Sequence, residues 1–172
     1  MNNLFLSFFL MVSTTLFALG KGTLIAPSSS GEEPLWRFQF YEKIKGRGED
    51  LEAIVRLNKK GNKGALSFFK ERKRSLKKYR EVLLGRKDLV FFQEASRSLK
   101  GISFEEVNRS FICKMMPPRH LMREHLYLRE AEEWKLINSP NGCFVMHYIR
   151  PANKNHQLLV EKVQQKIRGF LK

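Results

Sequence analysis

Apolar and polar positions alternate most clearly between Leu35 and Ile44, where Trp36, Phe38 and Phe40 are separated by Arg37, Gln39 and Tyr41. A period of two predicts a strand with one aromatic face turned to a core. The same rings would suit stacking on nucleic-acid bases, but a core face is the plainer expectation. After Gly46 and Gly48 the period changes. From Glu49 to Lys60, Leu51, Ile54, Val55 and Asn58 recur at three- and four-residue steps, which predicts a short helix. Acids at its start and bases at its end suit the helix dipole. A turn at Gly61-Asn62-Lys63-Gly64 leads into Ala65–Leu84, where Leu66, Phe69, Leu76, Tyr79 and Leu83 predict a longer helix. Its apolar stripe breaks between Lys70 and Ser75, so its middle is expected to face water.

Asp88–Leu99 fits a helix with Leu89, Phe92 and Leu99 inward, and Leu89–Phe92 fits a buried strand equally well. Ser103 and Glu106 form a capping box for a predicted helix to Met115, with Phe104, Val107 and Phe111 inward, and Pro117 ends it. His125–Arg150 has the pattern of strands. Leu126 and Leu128 alternate with Tyr127 and Arg129. Trp134–Ile137, the Asn141-Gly142 turn and Cys143–Ile149 predict a hairpin. Asn155–Leu171 is an amphipathic helix with Val160, Val163, Ile167 and Phe170 as its stripe. The predicted fold is α+β, with helices packed on a small antiparallel sheet containing a C-terminal hairpin. A mainly α bundle is the alternative.

The start of the chain is different in kind. Leu4–Leu19 carries no charge, and Ala18-Leu19-Gly20 matches a signal-peptidase site. Residues 1–20 are therefore expected to be a signal peptide. The apolar run is shorter than the roughly 20 residues a membrane span needs, which leaves a membrane anchor at residues 4–19 as the alternative. Pro27 to Gly31 mark residues 21–34 as a linker, and 35–172 is expected to be one domain. The expected location is secreted or periplasmic. In such a compartment Cys113 and Cys143 are expected to form a disulfide.

Charge adds a candidate activity. The chain has 32 Lys and Arg against 17 Asp and Glu, a net charge of +15 over 172 residues. Lys59–Lys87 alone holds twelve bases and two acids. On the predicted Ala65–Leu84 helix, Lys70, Arg72, Lys73, Arg74, Lys77, Lys78 and Arg80 form the candidate anion-binding face. Such a face displaces counterions from a phosphate chain or settles on an anionic membrane surface. The expected function is that of an exported basic binding protein with a polyanionic partner: an anionic lipid, a glycan or a nucleic acid. One alternative is a secreted helical signalling protein that docks a protein partner. Another is a small ribonuclease that uses His125 and His147 for proton transfer.

No catalytic motif of the Gly-x-Ser-x-Gly or His-Glu-x-x-His kind occurs, so an enzyme is not the main expectation. Cys113, Met115, Met116, His120 and Met122 are soft-ligand types. Lys114, Arg119 and Arg123 among them would repel a cation, and no metal or cofactor is expected.

Overall fold

A computed structural model describes residues 31–72, 75–108, 124–139 and 147–172. These form eight strands and two helices: β1 (Glu32–Ile44), β2 (Arg47–Asn58), β3 (Gly64–Arg72), β4 (Ser75–Leu83), α1 (Arg86–Leu99), β5 (Phe104–Asn108), β6 (His125–Glu130), β7 (Glu133–Asn138), β8 (His147–Pro151) and α2 (Lys154–Gly169). Six strands make one antiparallel sheet in the order β4-β3-β2-β1-β6-β7, and β5 pairs with β8 in a second, two-stranded sheet. The protein is mostly β. The expected arrangement of several helices on a small sheet is corrected, and so is the α-bundle alternative.

β1 follows its alternation. Trp36, Phe38 and Phe40 are buried, and the rings of Phe38 and Phe40 stack at 4.6 Å. Packing, not base stacking, uses these rings. Trp36 Nε1–H donates to the Phe92 carbonyl at 3.1 Å, which fastens α1 to the sheet. β1 continues into β2 through Lys45 and Gly46, both at positive φ (49° and 77°). That pairing of left-handed residues is the two-residue hairpin turn whose twist suits antiparallel strands.

The segment expected to be a helix at Glu49–Lys60 is β2. Every residue from Leu51 to Leu57 is buried. Leu51, Ala53, Val55 and Leu57 point into the core, while Glu52, Ile54 and Arg56 lie on the opposite face. A strand covered on both faces loses its alternation, and Leu51, Ile54, Val55 and Asn58 then mimic a helical stripe. Gly64, where β3 begins, is required by close approach. A Cβ there would lie 2.4 Å from the Arg56 carbonyl oxygen.

The predicted Ala65–Leu84 helix is the β3–β4 hairpin. Leu66 and Phe68 enter the core, and Arg72 pairs with Ser75 where the expected stripe broke. Two of the five stripe residues are exposed, Leu83 at 82%. A bulge between Phe68 and Phe69 shifts the register, so apolar residues on the two strands fall at spacings that resemble a helix.

The helix expected at Ser103–Met115 is corrected over its described part, which is β5. The expected C-terminal hairpin is also corrected. β7 pairs with β6 across a tight turn containing Ala131 at φ 54°, and β8 pairs with β5. The end of β7 meets the middle of β8, where Ser139 N–H donates to the Ile149 carbonyl at 3.0 Å and Ile149 N–H to Ser139 Oγ at 2.8 Å.

At Asp88–Leu99, where the pattern left helix and buried strand open, the chain forms helix α1, and α2 covers the expected C-terminal helix. Leu89, Phe92 and Leu99 of α1 and Val160, Val163 and Ile167 of α2 close the core over the same face of the large sheet. Asn153 caps α2 by accepting from Asn155 N–H at 2.8 Å.

Candidate functional site

Strand geometry distributes the expected anion-binding residues over two faces. Lys70 pairs with Lys77 and Arg80 with Phe68, which places all three on the helix side of the sheet; Lys78 pairs with Phe69 on the other side. Lys70 is largely buried. Its ammonium lies 3.4 Å from Glu49 Oε1 and 4.3 Å from the Tyr79 ring centre. Lys78 forms an ion pair with Glu81. Arg80 Nη1 donates to the Leu171 carbonyl at 3.0 Å. Lys77 is exposed. Arg72 is the last residue of β3; Lys73 and Arg74 lie outside the described residues. Among the described residues this basic stretch therefore lies on two strands and not along one helix face.

Topology assembles a different cluster. β1 and β2 turn at Lys45-Gly46, and Lys70 of β3 lies beside Leu51 of β2. The β1–β2 turn and the far ends of β3 and β4 therefore share one end of the sheet. The end of α2 arrives there as well. Arg168 Nε is 3.7 Å from Glu42 Oε2, and its guanidinium also bonds Glu124. It lies 5.4 Å and 5.3 Å from the ring centres of Phe38 and Phe40. Lys43, Lys45, Arg47, Lys77 and Lys172 are exposed at this end. Among the described residues no carboxylate lies within ion-pair distance of any of these five. Four of them were missed in the sequence. Their positions lie over a hundred residues apart at the extremes, and only the strand register and the placing of the end of α2 bring them to one end of the sheet.

The sheet face away from the helices holds a polar network. Glu52 is 4% exposed. Its Oε2 accepts from Arg37 Nη2 at 2.9 Å and from Gln39 Nε2 at 3.0 Å. Arg37 also lies 5.4 Å from the Tyr127 ring centre. Burial pushes the Tyr127 phenol above its ordinary pKa. A second chain runs from Arg56 Nη1 to Ser67 Oγ at 3.0 Å, and from Ser67 Oγ to Glu81 Oε1 at 3.1 Å. Burial lowers the Arg56 pKa. The Lys78 hydrogen bond, the largest influence on Glu81, pulls its carboxyl below the usual glutamate range. The first set joins β1 to β2 and reaches β6 through Tyr127, and the second joins β2, β3 and β4.

His125 and His147 sit on strands that are not neighbours. His125 pairs with Gln39 and stacks on Tyr127 at 6.3 Å, whereas His147 pairs with Asn108. No group of three potential metal ligands occurs among the described residues, nor does a helix long and apolar enough to cross a membrane. Cys113, Cys143, the soft-ligand cluster around His120 and residues 1–30 lie outside the described residues. Searches for a matching family model, curated protein or solved structure found none.

Proposed function

We propose that this protein binds a polyanion bearing phosphate or sulfate esters, through the basic end of the six-stranded sheet. The supporting observation is that Lys43, Lys45, Arg47, Lys77 and Lys172 share this end while, among the described residues, no carboxylate lies within ion-pair distance of any of them. Unpaired like charges repel one another, and an anionic partner removes that repulsion while releasing its own counterions.

A purely structural use explains part of the charge. β4 is an edge strand, and lysines on an edge discourage pairing with another chain. That accounts for Lys77, Lys78 and Arg80. It does not account for Lys43 and Arg47, which lie on the interior strands β1 and β2, or for Lys45 in the turn and Lys172 beyond α2. Those four are the reason to favour a binding role.

The test is elution of the full chain from immobilised heparin in a salt gradient. The logarithm of the binding constant is expected to fall linearly with the logarithm of salt concentration. Reversing Arg47 and Lys77 to Glu is expected to move elution to clearly lower salt. Retention indifferent to salt, or unchanged by both reversals, overturns the proposal.

A further inference from the structure

We infer that the cleft between the β1–β2 turn and the end of α2 takes a single phosphate monoester carried on an apolar body. The inference rests on the polyanion proposal and gives it one anchoring point.

The cleft encloses about 540 Å³ and is lined on its charged side by Lys43, Lys45, Arg168 and Lys172, and on its apolar side by Ile44 and Leu171. That volume falls within the range of small-ligand sites. Its one side-chain carboxylate, Glu42, is already engaged by Arg168. Arg168 is also held by Glu124 and packed over Phe38 and Phe40. It therefore forms a fixed wall with little spare charge. Lys43, Lys45 and Lys172 supply the remaining charge and are exposed. Among the described residues none of these three ammonium groups has a carboxylate partner, and together they match a dianion better than a singly charged diester or carboxylate. A phosphate monoester carries roughly −1.5 to −2 at neutral pH. The apolar wall favours an ester with a hydrocarbon portion over inorganic phosphate.

A second groove lies between α1 and α2, about 640 Å³ in volume, beside Phe91, Phe170 and Lys166. Its Lys166 ammonium is 2.6 Å from Asp88 Oδ1. That cation is already neutralised, which leaves Lys162 as the one further base in this groove against three in the first.

The test is acetylation of lysine amines on the full chain, followed by peptide mass spectrometry. Phenyl phosphate serves as the soluble probe, and phosphatidylcholine vesicles containing phosphatidate serve as the lipid probe. Phenol and pure phosphatidylcholine vesicles are the controls. Selective protection of Lys43, Lys45 and Lys172 over Lys77 and Lys78 is expected with at least one phosphate probe. The effective probe identifies the source as soluble ester or lipid headgroup. Lys43→Gln and Lys45→Asn are each expected to weaken protection of the remaining lysines about tenfold, the scale of one charge-assisted hydrogen bond. Asn tolerates the positive φ at position 45, so the turn is kept. Protection is also expected to fade below about pH 6, where the monoester takes up its second proton. Equal protection of all surface lysines, or none with either probe, overturns the inference. If heparin retention remains salt-dependent in that case, the cleft assignment alone fails. If retention is lost as well, the polyanion proposal fails with it.

Discussion

Arg80 of β4 reaches across to the carbonyl of Leu171, ninety-one residues further along the chain, and donates to it at 3.0 Å. This bond ties the β3–β4 hairpin to the residues just past the end of α2, and so joins two parts of the basic end. A hydrogen bond from a charged donor in an exposed setting contributes about 1 kcal/mol. Arg80→Ala is therefore expected to lower unfolding free energy by about that amount in a urea titration. Arg80→Lys is expected to recover little of the loss. A compact ammonium cannot reproduce the planar donor set of a guanidinium. Indistinguishable urea midpoints for wild type and Arg80→Ala would show that the bond contributes nothing.

The buried carboxylate of Glu52 makes a sharper case. It receives both Arg37 and Gln39 on one oxygen. Glu52→Ala removes the carboxylate that lies 2.9 Å from the Arg37 guanidinium, itself largely buried. Breaking one side of a buried pair costs about 3–5 kcal/mol. Replacing both partners at once, Glu52→Leu with Arg37→Met, is expected to cost far less than the two single changes together. A double-mutant cycle by chemical denaturation measures the coupling. Additive losses would mean that the two groups are solvated independently.

Legibility in the sequence followed the asymmetry of each element. β1 and β6 each have one apolar and one polar face, so their alternation was visible as Trp36-Phe38-Phe40 and Leu126-Leu128. α1 and α2 likewise bury one stripe. β2 was not visible, because Ile54 is buried between Glu52 and Arg56 on the face opposite Leu51 and Val55. The β3–β4 hairpin was hidden by its bulge and by Leu83, an apolar residue in water. The basic run was plain in composition, but its spatial meaning was lost with the helix. Lys43, Lys45 and Lys172 carried no local signal at all. Their role depends on long-range register, which a single sequence does not reveal.

Trp36 tests how tightly α1 is bound to the sheet. Trp36→Phe keeps most of the ring but removes the donor to the Phe92 carbonyl. The Phe92 carbonyl keeps its place in the α1 hydrogen-bond ladder, so the loss is that of one net hydrogen bond, about 0.5–1.5 kcal/mol. Trp36→Ala adds a cavity and is expected to cost about 3–5 kcal/mol. Hydrogen exchange should show α1 amides losing protection in Trp36→Phe before those of β2 and β3. Uniform loss across the sheet would mean that the bond supports the fold globally rather than the docking of α1.

Acid provides the last prediction. The Glu81 carboxyl is held below the ordinary glutamate range, chiefly by its hydrogen bond from Lys78 and also by that from Ser67. A depressed folded-state pKa means that the unfolded chain binds the proton more readily. The stabilisation from Glu81 is therefore fully present above the unfolded value, about 4.3, and is lost as pH falls through the lower folded value. Glu81 is itself exposed, so solvent and salt screen the pair and the effect is small. The thermal midpoint of the wild type is expected to fall across that acid window more steeply than that of Glu81→Gln, and the gap is expected to narrow in high salt. Identical slopes for the two chains at low ionic strength would show that Lys78 and Ser67 do not act on this carboxyl in solution.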